Sequence, residues 1–334
     1  MIGLDAGTFH LISAKRSADN GEIKFRKEVN AFIELPLENP YLFNVLKKGK
    51  VTLFERENIA YIVSHAAINM AYTLNKVELR RPMKDGCLNP TEKDAFNVLK
   101  TMIHSIIGKV DKDGEIVYYS VPANAVNENT DAEFHQKILE QIFQKYQVDG
   151  KVLKAYPINE ALAIIYAELE DKRFTGIGIS FGAGCINFCY AIYGAEVCSF
   201  SIVNSGDWID QQAAKATGEN AAFINKEKTK IDLGIPPSNM VERAIQTQYK
   251  LMIEKTVAQM KKAITEKNAI RHPDEPITMV LAGGTSAPNG FVELFKKAIE
   301  DAKLPVPIGE IRRPDDFLYT VAKGCLLAAE MSQA

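Results

Sequence analysis

The chain has 334 residues, of which 46% are hydrophobic and 25% charged, and its formal net charge is −2. That length and composition predict about two globular domains with proper cores, and a near-neutral charge without a dense Lys/Arg block excludes nucleic acid as the default partner. No apolar run approaches the ~20 residues of a membrane span, and Met1 leads straight into strand-like sequence with no room for a signal peptide, so a cytoplasmic protein without a transmembrane segment is expected.

Ile2 to Thr8, IGLDAGT, begins as a short apolar strand, turns on small residues and runs into a second strand, His10 to Ala18. Asn20 with Gly21 then gives a two-residue hairpin signal, since both central residues of a type I′ turn take positive φ. Ala31 to Ala71 mixes Pro36, Pro40, the basic turn Lys47 to Lys50 and the strand-like runs Val51 to Phe54 and Ala60 to Val63, and reads as a small insertion. Arg80 to Gly86, RRPMKDG, is a polar turn. Asn89 and Pro90 open a helix by N-cap and N1 chemistry, with Phe96, Leu99, Ile103 and Ile106 as its apolar face. Glu115 to Val121 is a short strand, Asp131 to Tyr146 a helix with Phe134, Ile138, Ile142 and Tyr146 on one side, and Val152 to Tyr156 another strand. Pro157 opens a helix that carries Glu160, Leu162, Ile165 and Leu169. Alternating strands and helices predict an α/β class.

Gly176 to Asn187, GIGISFGAGCIN, rewrites the first stretch: Ile2, Gly3, Asp5 and Gly7 fall on Ile177, Gly178, Ser180 and Gly182. A second strand, Ile186 to Tyr193, and a turn at Tyr193 and Gly194 follow as before. Two such copies are too few for a solenoid and read as two homologous lobes. Glycine-rich turns leave backbone N–H groups in one concavity, a nest for an anion, and two facing nests would grip a polyphosphate. Beyond them, Ser205 to Asp210 caps a helix, Ala213 to His272 is mostly helical with the stripe Ile253, Val257, Met260 and Ile264, and Ile277 to Leu281 is a buried strand. It runs into Gly283, Gly284, Thr285, Ser286 and Ala287, a third place where backbone can approach a ligand. Pro288 begins a helix packed by Phe291, Leu294 and Phe295, and Pro314 with Asp315 and Asp316 opens the last one, ending near Met331. The five cysteines, Cys87, Cys185, Cys189, Cys198 and Cys325, are scattered without a CxxC pair, which suggests packed, reduced thiols rather than a disulfide framework or zinc site.

In this order and spacing the motifs resemble those of the actin-fold ATPases, the superfamily of actin, the bacterial actins, the seventy-kilodalton heat-shock chaperones and sugar kinases. The first phosphate loop, D-x-G-T, matches Asp5 to Thr8, and the second matches Ser180 to Cys185. The acidic residue opening a helix before the second loop matches Glu160. A connecting segment of type GG-x-D-x-D resembles Ser205 to Asp210, the Glu-x-x-Lys beside the adenosine resembles Glu227 and Lys230, and the adenosine loop matches Met279 to Ser286. RPMKDG at Arg81 to Gly86 looks most like MreB and its relatives.

The resemblance implies a duplicated two-lobe, ribonuclease-H-like α/β fold with nucleotide in the cleft. Lobe I would comprise 1–156 and 316–334, with a small insertion subdomain at about 31–79, and lobe II 157–315, with a mostly helical subdomain at about 206–275. Amides of Gly7, Thr8, Gly182, Ala183 and Gly184, in the loop headed by Ser180, would hold the phosphates of ATP or ADP, Asp5 would hold Mg²⁺ through water, and Glu160 would orient the attacking water. Gly206 and Asp207 would lie at the connecting segment, and Gly283, Gly284 and Thr285, with Glu227 and Lys230, would border the adenosine. Blander roles stand beside these: Asp5 as a turn former, Glu160 as a helix N-terminal acid, Glu227 with Lys230 as an ordinary surface pair.

Two departures bear on activity. Ser180 stands where most relatives carry Asp, and Cys185 where bacterial actins often carry Thr; loss of one positioned polar group typically costs on the order of 10² in rate. The expectation is an ATP-binding, filament-forming actin-like protein with slow hydrolysis. The alternatives are a non-polymerising adaptor or pseudo-ATPase and a small-molecule kinase. Self-association is the expected partnership, and Tyr41 to Leu46 is the candidate apolar loop for a peripheral membrane contact.

Overall fold

The register of the first hairpin recurs residue for residue in the second unit. Strand β1 (Ile2–Ala6) pairs antiparallel with β2 (His10–Arg16), Ile2 opposite Lys15 and Asp5 opposite Ile12. Ile177 stands opposite Tyr190 and Ser180 opposite Asn187 in the later copy, the same offsets. The computed structural model describes residues 1–37, 40–73, 77–127, 130–267 and 275–333.

After β3 (Ile23–Val29) comes a three-stranded sheet of β4 (Phe32–Pro36), β5 (Leu53–Arg56) and β6 (Ile59–Val63) in the order β4-β6-β5, with helices α1 (Pro40–Lys48) and α2 (Ser64–Thr73). Tyr41 to Leu46, read as a loop, is part of α1; Tyr41 and Val45 are exposed and Leu46 is buried. A hairpin of β7 (Met83–Lys84) and β8 (Cys87–Leu88) follows, then α3 (Ala95–Ile107), β9 (Glu115–Val121), α4 (Ala132–Gln144), β10 (Gln147–Val148), β11 (Lys151–Asn159) and α5 (Glu160–Glu168). The first large sheet has the order β10-β11-β9-β1-β2-β3.

The second unit runs β12 (Gly176–Phe181), β13 (Ile186–Ile192), β14 (Ala195–Ile202), α6 (Gly206–Thr217), α7 (Ala221–Lys228), α8 (Met240–Thr265), β15 (Ile277–Ala282), α9 (Phe291–Ala302), β16 (Ile308–Arg312) and α10 (Thr320–Met331). Its sheet order, β14-β13-β12-β15-β16, is that of β3-β2-β1-β9-β11. The last helix of each unit packs on the sheet of the other: α5 lies on β12 and β13, α10 on β1 and β9, and the two helices pack on each other. Glycines make the close approach feasible. A Cβ on Gly3 would lie 2.2 Å from the Ala322 carbonyl oxygen, and one on the equivalent Gly178 2.3 Å from that of Ala161.

Several boundaries differ from the sequence reading, for local reasons. Asn20 and Gly21 sit in a longer connection between Arg16 and Ile23, and only Gly21 takes positive φ, whereas Tyr193 and Gly194 form the two-residue turn with φ of 51° and 76°. Pro90 does not start α3. Asn89 Oδ1 instead accepts from the Thr91 backbone and hydroxyl, and α3 begins at Ala95 behind Asp94, whose carboxylate takes Arg56 (2.6 Å) and Tyr61 (2.7 Å) rather than a helix amide. Pro157 lies inside β11, and Asn159 caps α5 by accepting from Ala161 and Leu162. Ser205 occupies the N-cap position of α6 without a side-chain cap bond. Likewise α9 and α10 begin at Phe291 and Thr320, past Pro288 and Pro314. On α4 the buried stripe is His135, Leu139, Ile142 and Phe143, and Phe134 is exposed. The helical run to His272 ends at Thr265, and 268–272 lie outside the described residues. All five cysteines are buried and unpaired.

His135 anchors the β7–β8 hairpin to α4: its Nδ1 accepts from the Leu88 amide at 3.1 Å. Burial lowers its pKa from 6.5 to about 4. Between those values the unfolded chain binds the proton more tightly, so this contribution to stability is complete above 6.5 and is lost as the pH falls toward 4. The full loss is on the order of 3 kcal/mol. An asparagine in place of His135 would offer its side-chain oxygen near the same point without titrating. The stability advantage of wild type over His135→Asn should therefore shrink across that window in thermal denaturation; an advantage independent of pH would contradict it.

Candidate functional site

Asp5 is next to last in β1 and Ser180 falls at the matching place on β12, so the two glycine-rich turns emerge from equivalent strand ends. The Ser120 hydroxyl, at the end of β9, donates to Asp5 Oδ1 (3.1 Å) and accepts from the Ala6 amide (2.9 Å), fixing the carboxylate at the base of the first turn. Glu160 is the first residue of α5, and its Oε2 accepts from Asn187 Nδ2 at 2.8 Å. Burial pushes both acids well above the usual carboxylate range. The charge of Asp5 adds to this at Glu160, and hydrogen bonds from Ser120 and Ser180 act the other way. Two buried carboxylates that oppose each other's ionisation are suited to a cation, whose charge would favour both anions.

The second turn is held from behind. The Gly182 carbonyl accepts from Ser205 Oγ (2.6 Å), Thr285 Oγ1 (2.7 Å) and the Gly206 amide (3.3 Å), and the Ala183 carbonyl accepts from the Asp207 amide (2.8 Å). The Gly182 amide is itself committed to the Cys185 carbonyl at 3.1 Å. Among the described residues, the amides of Thr8, Ala183 and Gly184 have no protein acceptor.

The RPMKDG segment stands between the two turns. Asp85 and Gly86, with φ of 53° and 84°, make the two-residue turn of the β7–β8 hairpin. The Gly86 amide donates to Thr8 Oγ1 (3.2 Å), and a Cβ on Gly86 would lie 2.5 Å from Cys185 Sγ. Arg81 pairs with Asp207 at 2.8 Å and lies over the Phe9 ring.

These elements border a cleft with a cavity volume of about 220 Å³. Asp5, Gly7, Thr8, Glu160, Ser180, Gly182, Ala183, Gly184, Asp207, Gly283, Gly284 and Thr285 all line it. Gly206 lies behind the second turn, where a Cβ would be 2.5 Å from Thr285 Oγ1. Glu227 and Lys230 pair with each other at 2.7 Å, and Lys230, with Lys228, Thr229 and Gly284, borders a hollow adjoining the cleft. Asn225, Lys228 and Thr229 occupy the wall there. Lys228 is buried, donates to the Gly206 carbonyl (2.8 Å) and pairs with Asp210 (2.8 Å), which also accepts from Asn225. The motif match favoured the more visible charged pair; the buried lysine carries no sequence signal beyond its spacing from Asn225. Phe317, Leu318 and Val321 supply an apolar wall that sequence reading did not find. His10 also lines the cleft, and burial, then nearby cations, lower its pKa to about 4.

A family model described as Volactin matches residues 1–329. The chain belongs to the volactin family. No curated protein sequence matches it. Among solved structures, the "MamK double helical filament" is 17% identical with a TM-score of 0.72, covering 98% of each chain. The MreB 5 protein of Spiroplasma citri, bound to AMPPNP, is 13% identical with a TM-score of 0.68, covering 99% of this chain and 96% of that one. The ethanolamine utilization protein EutJ from Carboxydothermus hydrogenoformans is 14% identical with a TM-score of 0.53, covering 98% of this chain and 88% of that one. This volactin-family chain therefore has the actin-like two-lobe fold, of the MreB and MamK type. Among its described residues no helix is long and apolar enough to cross a membrane.

Proposed function

We propose that the chain binds ATP with Mg²⁺ in the cleft and assembles with copies of itself into filaments, hydrolysing ATP slowly. The observation that carries this reading is the pair of glycine-rich turns at equivalent strand ends, with Asp5 and Glu160 in the cleft they border. The solved neighbours add support: MamK as a filament and the Spiroplasma protein with AMPPNP. The two lobes are assigned to 1–156 with 316–334 and to 157–315, carrying subdomains at about 31–79 and 206–275.

The amides of Gly7, Thr8, Ala183 and Gly184 are assigned to the phosphates, and Gly182 to the support of its loop. Asp5 would hold Mg²⁺, which would neutralise phosphate charge. Glu160 orients the attacking water. Gly283, Gly284 and Thr285 border the nucleoside, with Glu227 and Lys230 beside it and Asn225 and Thr229 on the same wall. Ser180 leaves the metal side with one carboxylate fewer, and Cys185, packed against Gly86, presents no hydroxyl; both slow hydrolysis. The same two residues favour the second reading, an actin-fold adaptor or pseudo-ATPase in which nucleotide only sets conformation.

High-speed pelleting with ATP, ADP or no nucleotide, with phosphate release assayed in the same tubes, separates these. Filaments that require ATP and release phosphate slowly are expected. A protein that binds ATP yet stays soluble under every condition is the adaptor.

A further inference from the structure

We infer that Asn187 is a positioning residue for Glu160, and that it ties the orientation of this carboxylate to the seam between the lobes. The inference rests on the ATPase reading above. Asn187 lies on β13, fully buried, with its side-chain nitrogen and its oxygen both directed at named partners. Its Nδ2 donates to Glu160 Oε2 (2.8 Å) and Cys185 Sγ (3.3 Å), and its Oδ1 accepts from the Ala123 amide (3.0 Å). The orientation of the amide is fixed by chemistry: turning it over would set NH₂ against the Ala123 N–H and oxygen against a carboxylate.

Ala123 follows β9, in the first large sheet, yet its neighbourhood is stitched to β14 of the second. Ser201 donates from its amide to the Asn124 carbonyl (2.9 Å) and from its hydroxyl to the Ala123 carbonyl (2.8 Å), and Val126 donates back to Ser201 (3.0 Å). Ser201 stands opposite Asn187 in the second sheet, so this stitch holds the Ala123 amide against Asn187 and fixes the side-chain amide where the segment after β9 meets β14. Ser180 also hydrogen-bonds Glu160, but it sits on β12 within the second sheet and carries no such link. In a water-activating role, small errors of carboxylate placement are costly.

Asn187→Asp keeps the acceptor for Ala123 and removes the donor to Glu160, while Asn187→Ala removes both without adding charge. Single-turnover phosphate release and ATP affinity would be measured for both, for Glu160→Gln, and for the Asn187→Ala, Glu160→Gln double variant. Each Asn187 variant should release phosphate about 10²-fold more slowly with ATP affinity within about threefold of wild type. The double variant should be no slower than Glu160→Gln alone, because the two residues act as one unit. Wild-type rates in both Asn187 variants, losses that multiply in the double variant, or affinity falling in step with rate would each overturn the inference. Failure of the ATPase reading is distinguishable, since it shows in the wild type, as absent ATP binding or absent phosphate release, and removes the inference with it.

Discussion

Gly324→Val is expected to lower the thermal midpoint by about 10 °C or to leave the chain unfolded. Gly324 lies in the middle of α10, where this helix packs on α5. A Cβ there would stand 1.8 Å from the Ala163 carbonyl oxygen and 2.4 Å from its carbonyl carbon. The obstacle is backbone on a helix that is itself packed on β12 and β13, so no rotamer change relieves it. Overpacking of this kind costs roughly 3 kcal/mol or more, a large share of the 5–15 kcal/mol that ordinarily separates folded from unfolded domains. Gly324→Ala is the milder probe, because alanine returns about 1 kcal/mol of helix propensity. Denaturation curves of both variants check the packing; wild-type midpoints would mean that the two helices do not meet there.

The duplication was legible because it is written in residues that backbone geometry requires. Gly3 and Gly178 recur because a helix backbone covers each strand, and the equivalent registers follow from the equivalent patterns around them. Helix starts were less legible. Pro90, Pro157, Pro288 and Pro314 each suggested a first helical turn, and none occupies one. Proline fixes φ equally well in turns and at sheet edges, and Pro157 takes a place in β11, which pairs with β9 on one side there. Strand β16 had no signal of its own: IGEIR is half exposed and becomes a strand by pairing with β15. In the site, the turns were readable from the repeat itself, and the two acids from the resemblance to the actin-fold ATPases. Asn187, Ser120 and Lys228 were not, because their roles come from partners far away in the chain.

Gly284→Val is expected to weaken ATP binding by about 10²-fold or more while the protein folds as wild type. A Cβ at Gly284 meets only Leu318 Cδ2, at 3.5 Å, and its φ is not positive, so the backbone accepts a side chain. Its neighbour differs. Gly283 has φ of 87°, and a Cβ there would lie 2.4 Å from the Phe181 carbonyl oxygen, so substitution at 283 would damage the fold itself. Gly284 lines the cleft, and a branched side chain at this place takes space assigned to the nucleoside. A steric conflict worth roughly 3 kcal/mol corresponds to about 10²-fold in affinity.

Calorimetric titration of the wild-type chain with ATP in the presence of Mg²⁺ tests the cleft assignment most directly, with Gly284→Val titrated alongside. Saturable binding of one ATP per chain, lost or strongly weakened in the variant at an unchanged thermal midpoint, is the predicted result. No saturable binding by the wild type, or equal affinity in the variant, would contradict the placement of nucleotide between the two turns.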